Sequence, residues 1–193
     1  MGQGNRFSTA RARFAAVFAV AAGLLAAGGV LLAARRAIED RRFLLTGPAR
    51  WIWWSREIPE PAPLRFRCWK EFHIEGERPA HAPTLFFGDC QWMLEVNGHP
   101  LASGSQKPGA ALRGLDAAAW LESGVNRIRV EASSANGVGA ILFWMDLGSG
   151  RLVVSDRTWE AASLPAGNAA PRRVEEWGRP PMYPWGYPRP PER

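Results

Sequence analysis

The stretch Leu64–Ile74, LRFRCWKEFHI, decides the fold. Leu64, Phe66, Cys68, Phe72 and Ile74 alternate with Arg65, Arg67, Trp69, Glu71 and His73, the two-residue period of a long strand with one buried face. Lys70 falls on the buried parity, so an edge or a bend is expected there. Outward from this strand, 84–96 reads as further strand and closes on Asn97-Gly98, a pair suited to a tight hairpin. Ile128, Val130 and Ala132 share one face of the next candidate, 140–147 is an almost continuous apolar run, and 151–155 follows a Gly-Ser-Gly turn. After the N-terminal region only 115–121 offers a helical period. Short strands separated by turn signals predict an all-β sandwich over 51–164.

The 193 residues, 47% hydrophobic and 11% aromatic, supply a core for one domain with attachments and exclude a mainly disordered chain. Two cysteines exclude a disulfide framework, and no Cys/His spacing offers a zinc site. The net charge is +6, yet the arginines are scattered rather than gathered on one helix or patch, so no nucleic-acid partner is expected. Lys70 and Lys107 are the only lysines among 24 basic residues.

The segment 14–34, FAAVFAVAAGLLAAGGVLLAA, carries no charge and is flanked by Arg11 and Arg13 before it and Arg35 and Arg36 after it. As a helix it would extend about 31 Å, enough for the hydrocarbon core of a bilayer. It is also longer than the apolar region of a cleavable signal peptide. It therefore reads as a membrane anchor in contact with the lipid bilayer. Ala15, Ala19, Gly23 and Ala27 recur every four residues and form a small-residue face for packing on another helix, although an alanine-rich helix makes such stripes by chance. Flanking arginines nearly balance, so charge does not fix the orientation. The organisation expected is 1–13 as a cytoplasmic N-terminus, 14–34 as transmembrane helix, 35–50 as Arg-rich neck, 51–164 as sandwich and 165–193 as tail.

Five motifs within the sandwich resemble one family in order and spacing. They are Trp51-Ile52-Trp53, the strand 68–74, Gly88-Asp89-Cys90 with 94–98, the stretch 121–128 reading LESGVNRI, and 154–159 reading VSDRTW. They are similar to the galactose-binding-like jelly-roll module at the front of bacterial α-L-rhamnosidases. Cys68 replaces an aromatic of that pattern and Cys90 an acidic residue, and no catalytic barrel follows. The resemblance implies an antiparallel jelly-roll β-sandwich, an association with sugar and a periplasmic location on a bacterial inner membrane. It implies no catalytic residues.

The sequence offers no converging acid, base or nucleophile: the three histidines are dispersed, and Asp89, Asp146 and Asp156 make a carboxylate or calcium cluster only if the fold gathers them. No enzyme activity, cofactor or metal is expected. Trp69 and Trp92 sit at strand positions where core or interface packing is the expected use, with stacking on a sugar ring as the alternative. Cys68 and Cys90 are either buried free thiols or, in an oxidising compartment, a disulfide. The tail holds eight of the 16 prolines and reads as an extended ribbon presenting Trp177, Tyr183, Trp185 and Tyr187 to a partner. Together these features point to a non-catalytic accessory subunit docked on integral-membrane proteins, in a photosynthetic reaction-centre–light-harvesting assembly or otherwise a respiratory one. A membrane-tethered carbohydrate-binding module is the alternative, and a small glycan-acting hydrolase a remote one.

Overall fold

The computed structural model describes residues 23–34, 45–57, 61–165 and 170–192. Residues 23–34 are helical, and this helix and the β-sandwich are separate compact units. No helix among the described residues is long and apolar enough to cross a membrane. The first nine residues of the expected span, with Ala15 and Ala19 of its small-residue face, lie outside them. In the helical part Gly23 and Ala27 are exposed, as are Leu24, Leu25, Val30, Leu31 and Leu32.

Two six-stranded antiparallel sheets form the sandwich. The first runs β12 (Glu175–Gly178), β1 (Trp51–Trp53), β8 (Ile141–Asp146), β3 (Pro83–Gly88) and β6 (Arg113–Asp116), with β9 (Leu152–Val154) also on β8. The second runs β11 (Arg172–Arg173), β10 (Glu160–Ser163), β2 (Leu64–Ile74), β7 (Gly124–Ser134), β4 (Gln91–Val96) and β5 (His99–Ser105). β2 pairs along its whole length with β7, from Leu64 opposite Ser134 to Ile74 opposite Gly124. On its other side β10 stops at Glu160 opposite Trp69, so β2 does become an edge at Lys70. There the Lys70 ammonium donates to Asp156 Oδ2 at 2.9 Å and to the Val154 carbonyl. Asn97 and Gly98 take φ of 52° and 83° and join β4 to β5 in the expected tight hairpin. The helical period over 115–121 resolves instead into the end of β6 and a single 3₁₀ turn, Ala118–Trp120.

Between the sheets lies one core, with Phe66, Cys68, Leu94, Ile128 and Val130 from the second sheet facing Ile52, Phe86, Ile141, Phe143 and Met145 from the first. The motifs that resemble the rhamnosidase module hold this frame together. Buried Asn126 donates to the Glu122 and Gly124 carbonyls and accepts from Asn97, closing the turn before β7. Buried Ser155 donates to the Arg50 carbonyl and accepts from the Phe143 amide, while the Trp159 indole donates to the Val154 carbonyl.

A second core explains the continuous apolar run of β8. Its residues cannot alternate between core and water, because both faces of the first sheet are covered. Trp51, Phe87, Leu142 and Val154 pack on the outer face with Ala49, Leu112 and Trp185. The cover comes from the chain on either side of the expected sandwich. Leu45 and Ala49 enter from the neck, and Trp177, Met182 and Trp185 from the tail. Trp185 sits 5.3 Å from Trp51 and 5.4 Å from Trp177, ring centre to ring centre.

This corrects the reading of 165–193 as an extended ribbon outside a sandwich that ends at 164. β11 and β12 add one strand to each sheet, and proline confines the remainder to bridges and turns over an apolar surface. The described part of the neck, 45–50, likewise belongs to the sandwich: the Arg50 amide donates to Ser155 and its guanidinium pairs with Glu176 of β12 at 3.6 Å. Trp185→Ala is therefore expected to lower unfolding free energy by about 3–5 kcal/mol, as for other buried tryptophans, in urea titrations of the full chain. Deleting 177–193 is expected to do more, abolishing the cooperative transition.

Candidate functional site

A recess of about 610 Å³ opens at one end of the second sheet. Its walls come from the chain entering β2 (Pro63, Arg65), the β3–β4 turn (Asp89, Cys90, Gln91), the end of β5 and the loop after it (Ser105 to Lys107), and the loop after β7 (Ser133 to Asn136 and Val138). That volume is in the range of small-molecule sites. The walls approach closely because Gly139 has no side chain. A Cβ there would lie 2.5 Å from the Trp53 ring and 2.6 Å from the Asp89 carbonyl oxygen. The Asp89 amide in turn donates to the Ala140 carbonyl, which fixes the turn against β8.

Hydrogen bonding divides the lining into frame and free groups. Gln106 is frame: its side-chain carbonyl accepts from the Gly88 amide at 3.0 Å and its amide donates to the Ala111 carbonyl at 2.6 Å. Ser134 and Asn136 bond to each other and to Val138. Asp89 is half in each class. The Trp185 indole donates to its Oδ2 at 2.7 Å, while no bond among the described residues engages its Oδ1. Burial raises the Asp89 carboxyl above its ordinary range, and the Trp185 bond only partly opposes that. Arg65, Gln91 and Lys107 are exposed at the rim. The set offers several donors around one carboxylate acceptor, an arrangement suited to holding a polyhydroxylated ligand.

The residues singled out by sequence fall in different places. Trp92 is not available to a sugar: it is buried, its ring 4.5 Å from Phe86, and an added Cβ at Gly88 would lie 2.5 Å from it and one at Gly104 3.1 Å. Trp69 is half-buried on the outer face of the second sheet, between Arg129 on β7 and Glu160 on β10. It borders two shallow recesses of about 260 and 330 Å³. The charges around it are matched in pairs, Arg67 with Glu131 at 2.7 Å, Arg127 with Glu71, and Arg129 with Glu95. Of the tail aromatics, Trp185 is buried and Trp177 packs on both cores, Tyr187 is half-buried, and Tyr183 is 93% exposed.

Cys68 and Cys90 are buried free thiols rather than a disulfide. They belong to β2 and to the approach to β4, with β7 between those strands. Burial, then the neighbouring Asp89 charge, pushes the Cys90 thiol up to about 12, and burial raises Cys68 as well. Neither forms a thiolate near neutral pH. The three aspartates are not gathered. Asp146 accepts from the Gly148 amide and Asp156 caps its own turn through Thr158. No group of three or more potential metal ligands occurs among the described residues. Sequence reasoning marked Asp89 and Cys90 but missed Arg65, Gln91, Lys107 and the 133–138 loop. The signal within reach was Lys107, whose only lysine counterpart is consumed by the Asp156 pair.

No protein-family model matches the sequence, and no curated protein matches it. Solved structures do. The GH78 family rhamnosidase of Bacillus sp. GL1 superimposes at a TM-score of 0.63 with 16% identity, over 75% of this chain and 20% of that one. The Pleurotus ostreatus lectin in complex with GalNAc gives 0.60 with 20% identity, over 77% of this chain and 48% of that one. The Streptomyces avermitilis α-L-rhamnosidase complexed with L-rhamnose gives 0.58 with 16% identity, over 75% and 16%. The fold is the galactose-binding-like β-sandwich. The chain spans a fifth or less of the length of these rhamnosidases and about half that of the lectin, and identities this low carry the fold alone.

Two titration behaviours follow from the site. The raised Asp89 group favours the folded state below the ordinary aspartate range and loses that contribution as pH rises through its folded value. Asp89→Asn keeps an acceptor for Trp185 and should flatten that part of the stability–pH curve measured by urea unfolding. Asp156 has the opposite sign. Burial works against its charge, but bonds from Thr158 and Lys70 outweigh it and lower the carboxyl, so its contribution disappears on acidification through the folded value. Separately, the native protein should resist iodoacetamide at neutral pH and take up two equivalents on unfolding, scored by intact mass.

Proposed function

We propose that this protein is a non-catalytic carbohydrate-binding module, tethered through its N-terminal apolar segment to a bacterial inner membrane with the sandwich on the periplasmic side. The observation that carries the binding role is the end recess, with unengaged donors set around the half-buried carboxylate of Asp89. Sugar hydroxyls donate and accept at once, so a carboxylate oxygen flanked by amide, hydroxyl and cationic donors matches a vicinal diol. Hydrolysis of a glycosidic bond commonly needs two facing carboxyl groups, and Asp89 is the one carboxylate on the described walls. The lectin and rhamnosidase neighbours are consistent with sugar as the ligand class. The tether rests on the uncharged run 14–34 and on the exposure of Leu24, Leu25, Val30, Leu31 and Leu32, which require lipid or a partner helix to cover them.

That same apolar exposure favours a second reading, an accessory subunit of a larger membrane complex such as a photosynthetic or respiratory assembly. The tail that would staple such a subunit to its partner gives Trp177 and Trp185 to the sandwich itself, which leaves Tyr183 as its one fully displayed aromatic.

A glycan array followed by calorimetric titration, run on the full chain in detergent micelles, tests the module. Saturable binding is expected, reduced about tenfold or more by Asp89→Asn or Lys107→Ala and unchanged by Trp69→Ala, since losing one charge-assisted hydrogen bond is worth about 1.5–3 kcal/mol. Loss of binding in Trp69→Ala alone would move the site to the open face of the second sheet. Failure to bind any glycan, with co-purification of integral-membrane subunits on native gels, would favour the accessory subunit.

A further inference from the structure

The end recess has a neighbour. A second hollow of about 540 Å³ is lined by Ser105, Gln106 and Lys107, by 110–114, and by Pro191 and Glu192. Ser105, Gln106 and Lys107 line both hollows, so the two meet along one partition. That partition is rigid. Gln106 is pinned to Gly88 on one side and to Ala111 on the other. The loop beyond it turns on a bond from the Ala110 amide to the Lys107 carbonyl, and the tail clamps its far end through the Leu112 amide and the Arg189 carbonyl. A wall held at both ends keeps its shape before a ligand arrives, which reduces the ordering cost of binding.

The charges of this double hollow differ in kind from those of the sheet face. Around Trp69 each of Arg67, Arg127 and Arg129 faces a carboxylate. Along the groove, Arg65, Lys107 and Arg113 form no ion pair with any described residue, and they stand in one hollow, on the partition and in the other. Lys107 stands exposed where both hollows meet. Arg65, Lys107 and Arg113 outnumber the two carboxylates of the walls, Asp89 and Glu192, and this excess of cations beside hydroxyl-binding groups matches a chain of sugar units bearing negative charge.

We propose that the two hollows are one groove for an anionic oligosaccharide of the uronic-acid class, with Lys107 at the junction holding a carboxylate and Arg65 and Arg113 serving the units on either side. This deepens the carbohydrate reading and rests on it. The test is calorimetric titration of the full chain in detergent with monomers and trimers of galacturonate, glucuronate and mannuronate, and with the carboxyl-reduced trimers as neutral counterparts. The best uronate trimer should bind about tenfold or more tighter than its monomer and than its reduced form, and raising ionic strength should weaken it because the contacts are at the surface. Lys107→Ala and Arg113→Gln should each bring the acidic trimer towards the reduced one, with thermal unfolding unchanged because both side chains are exposed. Equal affinity for acidic and reduced trimers would overturn the anionic assignment and leave the sugar cleft standing. Equal affinity for monomer and trimer would overturn the joined groove. Binding of no acidic or neutral sugar would overturn the carbohydrate reading together with this one.

Discussion

A sheet that is apolar on both faces has to be covered twice, and the structure turns on the second covering. The inner face of the first sheet meets the second sheet, as in any sandwich. Its outer face presents Trp51, Phe87 and Leu142, which no part of 51–164 alone covers in full. Chain from before β1 and after β10 closes over it, with Trp185 at the centre. A tail of eight prolines suits this task because it lies as a low-entropy strap without needing ladder partners for every residue. The hydrogen bond from Trp185 to Asp89 then ties the strap to the β3–β4 turn.

That tie links the strap to the proposed binding groove. The strap buries Trp185, orients one carboxylate oxygen of Asp89 and, four residues further on, bonds Arg189 to the loop that forms the far wall of the groove. The groove is thus an outcome of covering the first sheet. Its chemistry also separates it from the open face of the second sheet, where arginines and glutamates satisfy one another across strands. Paired surface charges of that sort contribute little to stability and leave little for a ligand. Arg65, Lys107 and Arg113, which form no ion pair with a described residue, line the two hollows instead.

Much of the sandwich was legible in the sequence, because a strand with one wet face writes its orientation into a two-residue period. Leu64–Ile74 and the Asn97-Gly98 hairpin are read this way, and both stand as expected. The almost continuous apolar run 140–147 offers no alternation to read, and the residues that cover its outer side come from the neck and from a proline-rich stretch thirty or more positions away whose local preference is extended. Local pattern cannot show that such a ribbon folds back. Trp92 is buried, as its packing reading expects, but the room for its ring comes from Gly88 and Gly104, which no local pattern links to it. The groove was the least legible feature. Its walls come from loops that meet only in three dimensions, so Arg65, Lys107 and Asn136 carry no shared spacing.

The measurement that bears most directly on this account is amide hydrogen exchange of the full chain, resolved to the tail and its partners. If the strap is part of the core, amides of Glu175–Gly178 and of Gly186 and Leu112 should exchange only through the opening that releases β2 and β7. Rapid exchange of those amides, with β2 and β7 still fully protected, would show a free tail and contradict the account.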